Sequence, residues 1–199
     1  MGEIEGGVKA SSREEEKPVM GESKDIYLDW IEPGDIDRLL TVYNSHPMFL
    51  AHHIHQNAVN GEWMRREIDS MRGNGFLPCK VVENTSHEII GLMDVKIAAE
   101  TYLSLLMIHQ NHAHRGFGTL AYKALEDYAC TQGSRFVRID VIRNYSDEVM
   151  NFWMQKGFHV VKDTVLTWSD VISPAVTMTK AIPCPGKKRG APPNSDGPH

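Results

Sequence analysis

The sequence predicts an α/β (α+β) domain, a mostly antiparallel mixed sheet of roughly six or seven strands flanked by about four helices. Three observations lead there. Short apolar or alternating stretches such as "DIYLDWI", "EIIGLMDVKIA" and "RFVRIDVI" have strand length and strand composition. Between them stand segments with helical spacing, of which Leu120, Ala121, Ala124, Leu125 and Tyr128 are the clearest. Finally, "LPCKVVEN", "EIIGLMDVKIA" and "TYLSLLMIH" follow one another with only short polar breaks, which gives an antiparallel meander and no βαβ repeat.

Taken in order, "DIYLDWI" alternates as the first strand. In "PGDIDRLLTVYNSHP" Pro33 sits near a helix start, Ile36, Leu39, Leu40 and Tyr43 share one face, and Asn44 to Pro47 stops the helix. A second helix, "NGEWMRREIDSMRGNG", is closed by Gly73 and Gly75 before the meander begins. The third helix runs from Gly118 towards Gly133, and "RFVRIDVI" returns as a strand. Ser146 is placed to cap the fourth helix, "DEVMNFWMQK", with Asp147 and Glu148 at its positive end and Gly157 as its stop. "FHVVKDTVLTW" and "PAVTMTKAI" are the last strands.

The chain has 199 residues, 41% hydrophobic and 24% charged, which suits one domain with tails. Residues 1–24 and 183–199 have little to bury and read as disordered tails around a domain at 25–182. A net charge of −5, with "GKKRG" as the one basic cluster, argues against a nucleic-acid partner. The first residues lack the apolar run of a signal peptide, so no membrane partner is expected. Cys79, Cys130 and Cys184 show no paired spacing, so neither a disulfide framework nor a zinc site is indicated and the setting expected is cytoplasmic. The string "AHHIHQ" invites a metal reading, but no carboxylate or Cys stands at zinc-type spacing beside it, and no metal is expected.

The chemistry concentrates in "NHAHRGFGTLAYKALEDYA". A strand that runs through glycines into a helix leaves the first helical N–H groups without intrahelical partners, at the positive end of the dipole. Gly116 and Gly118 would let a phosphate approach that backbone closely, with His114 and Arg115 adding charge; a plain tight turn is the alternative from these residues alone. A Rossmann site does not fit an antiparallel meander, and the Gly-Lys-Ser/Thr of a Walker loop is missing.

"LLMIHQNHAHRGFGTLAYKALEDYA" followed by "NYSDEVMNFWMQKGF" resembles the GNAT superfamily of acyl-CoA-dependent N-acetyltransferases. In that family a strand ending in an aliphatic residue leads into Q/R-x-x-G-x-G/A and a helix, and a later helix carries an aromatic pair four residues before Gly-Phe. Ile108, Gly116 and Gly118 fill the first pattern; Phe152, Trp153, Gly157 and Phe158 fill the second. The resemblance implies acetyl-CoA as co-substrate, with pantetheine along Leu106, Met107 and Ile108 and the diphosphate on Ala113, His114, Arg115, Gly116, Phe117, Gly118 and Thr119. Ser146 and Trp153 complete the implied cofactor set. It also implies direct attack by a small primary amine; an acyl-CoA-binding module that has lost catalysis is the alternative, and a homodimer is left open.

Two departures stand out. Ala113 replaces the family's Gln or Arg, and Trp153 replaces the Tyr that in several members protonates the departing thiolate. An indole N–H is no practical acid, but a thiolate of pKa ~8.5 can leave without one. The amine must lose a proton, since at pKa ~10.4 only about one molecule in two thousand is neutral at pH 7. The family's carboxylate position, about six residues before Ile108, is Tyr102 here. Glu100 acting through water is the first candidate base, with Tyr102, His109 and Asp94 behind it. The segment of His52, His53 and His55, with "GEWMRREIDSM", is expected to wall the amine site.

Overall fold

The computed structural model describes residues 20–143, 145–168 and 170–184. Its strands are β1 (Gly21–Glu22), β2 (Ile26–Trp30), β3 (Leu77–Glu83), β4 (Ile89–Lys96), β5 (Glu100–Ile108), β6 (Phe136–Ile142), β7 (His159–Trp168) and β8 (Val171–Ala181). The helices are α1 (Ile36–Asn44), α2 (Pro47–Ile54), α3 (Gly61–Gly73), α4 (Phe117–Thr131) and α5 (Asp147–Gln155). The strands form one 8-stranded mixed sheet in the order β1-β2-β3-β4-β5-β6-β8-β7, so the α/β class is as expected with an extra strand and an extra helix.

Both additions have physical causes. Pro47 ends α1 but also occupies the first turn of α2, a position where a missing N–H costs nothing; the same residue stops one helix and starts the next. α2 closes at His55, which adopts a left-handed φ of 55°. β1 lies inside the segment expected as a tail: it pairs with β2, and Met20 beside it is buried against the Cys79 thiol. At the other end Cys184 is paired with Cys130, with Cα atoms 5.6 Å apart, where the sequence spacing indicates no disulfide framework. A single pair 54 residues apart leaves no spacing signature. The rest of both tails, 1–19 and 185–199, lies outside the described residues.

Two apolar layers hold the sheet. On one face α1, α2 and α3 set Leu39, Val42, Leu50, Met64 and Ile68 on Leu92, Leu105 and Met107. On the other, α4 sets Ala121, Leu125 and Ala129 on Leu28, Val81, Val95 and their neighbours. At roughly 1.5–3 kcal/mol per buried aliphatic side chain, these layers supply the main driving force for folding.

β5 deals side chains to both faces. In its pairing with β4, Asp94 stands opposite Leu105 and Val95 opposite Leu103, so Ser104 is an extra, bulged residue. Strict alternation would put Tyr102, Ser104, Leu106 and Ile108 on one face. The bulge breaks that parity: Tyr102 lies on the α3 side, whereas Leu106 and Ile108 pack with the α4 layer. Gly91 allows the close approach of β4 to the end of β5, because a Cβ there would sit 2.5 Å from the Met107 carbonyl oxygen.

Candidate active site

β5 and β6 run parallel and pair only at Glu100–Phe136, Thr101–Val137 and Tyr102–Arg138. Beyond those residues the strands diverge, because β5 is held by β4 and β6 by β8, each on its far side. The facing edges from Leu103 and Ile139 onward carry no mutual ladder bonds and enclose a cleft of about 230 Å³. A buried strand edge with free backbone groups is a place for an extended ligand to add as a strand. One of its carbonyls is already taken, as His46 Nε2 donates to the Ile108 oxygen at 2.8 Å.

The loop after β5 ends in α4 with the geometry that the glycines suggested. His114 and Gly116 both adopt left-handed φ, 58° and 86°, either side of Arg115. A Cβ on Gly116 would meet nothing within 4 Å, so the position is open space, and its glycine is required by φ and not by crowding. Thr119 and Leu120 already donate to the Gly116 carbonyl, whereas the N–H groups of His114, Arg115, Gly116, Phe117 and Gly118 have no partner among the described residues. Consecutive free donors at a helix N-terminus form a concavity for an anion.

Three cavities lie in series from this loop through the sheet. The outer groove, about 510 Å³, is lined by His114, Gly118 and the α5 residues Glu148, Asn151, Phe152 and Gln155. It shares Leu106, Ile108, Val149 and Trp153 with the cleft between β5 and β6. That cleft shares His53, Ser104, Leu105, Ile142, Leu166 and Trp168 with an inner cavity of about 420 Å³ on the α3 side. Ser104, the bulged residue, sits at the junction.

The inner cavity is the acidic one. Asp94 on β4 is 4% exposed, and its carboxylate receives no hydrogen bond among the described residues. Burial, and then the charge of Glu67, push its carboxyl up to about 7. Glu67 accepts a hydrogen bond from Trp168 Nε1 at 3.0 Å, and burial raises its carboxyl despite that bond. His53 Nδ1 donates to the Phe49 carbonyl at 2.8 Å and its ring stacks on Phe49, which leaves Nε2 as the acceptor nitrogen. Burial lowers this imidazole to about 4, so it is neutral at pH 7. Tyr102 lines the same cavity; burial and then Asp140 raise its hydroxyl to about 12.

The residues singled out from the sequence thus fall into two sets. Leu106, Met107, Ile108 and Trp153 line the cleft, and His114 and Gly118 line the outer groove. Ala113 is an extended residue that leads into the glycine turn, and Thr119 lies in the first turn of α4. Phe117 is buried, while Arg115 is turned aside, its guanidinium 3.6 Å from Glu83 and over the Phe117 ring. Ser146 caps α5 by accepting the Val149 N–H, so its hydroxyl serves the helix. Trp153 is an aromatic packing residue against Tyr122 and Phe158.

Of the candidate bases, Tyr102 and Asp94 reach the inner cavity and Glu100 and His109 do not. Glu100 is exposed at the start of β5, beside Arg138. His109 accepts the Asn111 N–H at 3.1 Å and borders a separate surface hollow with Leu40 and Thr41. Sequence reasoning misses Glu67. Its signal is present all the same: Glu67, Ser70, Met71 and Asn74 recur at helical spacing, and all four line the cavity. Among the described residues no group of three or more His, Cys, Asp or Glu is placed to hold a metal ion. No helix among them is long and apolar enough to cross a membrane.

Residues 44–158 match the model of the acetyltransferase (GNAT) family. No curated protein sequence matches the chain. Among solved structures, an acetyltransferase from Thermus thermophilus is 23% identical with TM-score 0.64, over 78% of this chain and 96% of that one. A GNAT-family acetyltransferase from Bacillus anthracis superposes with TM-score 0.65 at 10% identity, over 81% and 97%. The spermidine N-acetyltransferase of Vibrio cholerae, solved with CoA and spermine, gives TM-score 0.64 at 14% identity, over 81% and 98%.

Proposed function

The chain belongs to the acetyltransferase (GNAT) family, and from that premise we propose that it transfers an acetyl group from acetyl-CoA to the primary amine of a small molecule. The observation that carries this reading is the unbroken series of cavities from the α4 N-terminus, through the gap between β5 and β6, to Asp94. The residues fit the co-substrate. The free N–H groups from His114 to Gly118 suit a diphosphate, and the unpaired edge of β5 suits the amides of pantetheine. When bound, acetyl-CoA supplies an activated thioester carbonyl.

The chain's own groups do the rest. Asp94, poised near pH 7, takes the proton from an ammonium held in the inner cavity and leaves a nucleophilic amine. A backbone N–H near Leu106, on the unpaired edge, is the donor we assign to the oxyanion that forms during attack. Leu105, Leu166 and Trp168 at the junction keep water from competing for the thioester. A module that binds acyl-CoA without turnover is the second reading, favoured by Trp153 lying in an apolar cluster where the family often has an acid. The expected cytoplasmic setting belongs to this proposal too.

Two measurements test the reading. Acetyl-CoA at a hundredfold excess over its Kd should add ~2.7 kcal/mol, a rise in Tm of roughly 5 to 10 °C for a domain this size. Release of free CoA across polyamines, aminoglycosides, amino acids and peptides then separates transfer from binding alone. No Tm shift at millimolar acetyl-CoA would remove the assignment.

A further inference from the structure

Resting on the acetyl-transfer reading, we infer that the inner cavity selects a compact primary amine that carries no carboxylate, held as its ammonium between Asp94 and Glu67 and by the aromatic wall of Phe76, Tyr102 and Trp168. Charge is the first argument. The lining holds both carboxylates and no Lys or Arg among the described residues. The nearest cations, Arg138 and Lys96, stand outside that lining, and only the buried Nε of Arg138 is left without a partner among the described residues. Arg138 lies over the Tyr102 ring at 4.2 Å and pairs with Asp140 at 2.8 Å, and Lys96 donates to the Asn74 carbonyl at 3.1 Å. An amino acid entering amine-first would bring its carboxylate beside Asp94 and Glu67 with no Lys or Arg of the lining to neutralise it.

Burial is the second argument. Asp94 is 4% exposed, lines the cavity and has no hydrogen-bond partner of its own among the described residues. Its oxygens are not sealed in the core but face the cavity, where a cationic ligand can pair them. Size is the third. At about 420 Å³ the cavity lies at the small end of the ~300–1,000 Å³ usual for small-molecule sites. Met71, Leu166 and the aromatic residues give an alkyl or aryl arm apolar surface, and a ring face can hold a cation as well.

The test uses pairs that differ by one carboxylate, cadaverine against lysine and phenethylamine against phenylalanine, titrated calorimetrically into the full-length protein saturated with CoA. We expect the amine of each pair to bind at least tenfold more tightly. Asp94→Asn and Glu67→Gln should each weaken it about tenfold while CoA binding is kept. Ser70→Arg, which sets a guanidinium in the lining, should narrow or reverse the preference. Equal or tighter binding of the amino acids, or amine binding that both neutral variants leave unchanged, overturns the inference. The two readings fail separately. Amines that bind but release no CoA from acetyl-CoA refute acetyl transfer and leave the ligand class standing. CoA that binds where no amine does refutes the ligand class and leaves the cofactor site standing.

Discussion

The outer groove and the inner cavity are joined through the cleft that Ser104 and Trp168 border, yet they are made of different material. The outer side offers a ligand mainly main chain, the edge that β5 shows to β6 and the unpartnered N–H groups from His114 to Gly118, with α5 residues as the opposite wall. The inner side is built from residues contributed by α2, α3, β4, β5, β6, β7 and β8. A backbone-made site tolerates side-chain change, which explains how Ala113 can stand where the family has Gln or Arg. A site made from two carboxylates depends on each of them. Substitutions should therefore separate the two regions by kind as well as by size of effect.

The largest effect is expected on the inner side. Asp94→Asn keeps the shape but cannot accept a proton, so turnover at pH 7 should fall by roughly 10²–10⁴ while acetyl-CoA still raises Tm. The deficit should shrink at high pH, where more amine is already neutral. Glu100→Gln, at an exposed position outside every cavity just described, should leave turnover unchanged. The opposite pattern, measured as initial rates of CoA release, would return the base to the start of β5.

The outer side should break by obstruction. Gly116 is a poor place to test it, because its φ of 86° strains any L-residue whatever the ligand does. Gly118 has ordinary φ, and a Cβ there would make contact with Phe152 at 3.7 Å. Gly118→Leu should therefore fill the groove and abolish the ~2.7 kcal/mol of ligand stabilisation without unfolding the domain. Arg115→Ala should change acetyl-CoA affinity by less than about threefold, since that guanidinium is turned towards Glu83. A large loss on Arg115→Ala would show that the loop rearranges to grasp the diphosphate.

The same contrast explains what can be read from the sequence. Ile108, Gly116 and Gly118 fall in one short run and Gly157 and Phe158 in another, each with spacing set by backbone geometry, so the resemblance to the family finds them. Glu67, Asp94 and Trp168 are brought together by packing, and no local pattern joins residues so far apart. Parity also misleads at one point. Counting alternate residues along β5 puts Glu100 on the face of Tyr102, but only Tyr102 reaches the cavity, and the bulge at Ser104 reverses the strand's faces beyond it. Asp94 does leave a trace, as the lone acid in the apolar strand "IIGLMDV".

A smaller effect follows from Asp94 being ionisable in a buried place. Its carboxyl is raised to about 7 when folded, against ~3.9 when unfolded. Below about pH 4 both states hold the proton and no penalty exists. Between about 4 and 7 the unfolded chain ionises while the folded one retains its proton, so stability falls as pH rises, and the full penalty persists above 7. Asp94→Asn cannot ionise and should melt higher than the parent at pH 8, by on the order of 10 °C, and at nearly the same temperature at pH 4. Equal melting temperatures at both values would mean that water reaches the carboxylate.

The smallest effect is expected where the outer groove opens into the cleft, at Trp153. Its ring is 8% exposed and packs edge-on against Tyr122, Phe152 and Phe158, at 5.7, 4.8 and 5.3 Å between centroids. Trp153→Tyr restores the family's hydroxyl but removes part of that packing, so Tm should fall by a few degrees. Turnover should change by less than about threefold, because a thiolate of pKa ~8.5 departs without an acid. The Tyr145 hydroxyl is the alternative proton source to test, since its ring lines the same cleft, 5.0 Å from His53. Tyr145→Phe should then slow turnover by no more than tenfold, and Trp153→Tyr should recover that loss if both hydroxyls reach the sulfur. A tenfold gain from Trp153→Tyr alone would show that thiolate departure limits the parent, and that the chemistry is held back on the cofactor side of the junction and not at Asp94.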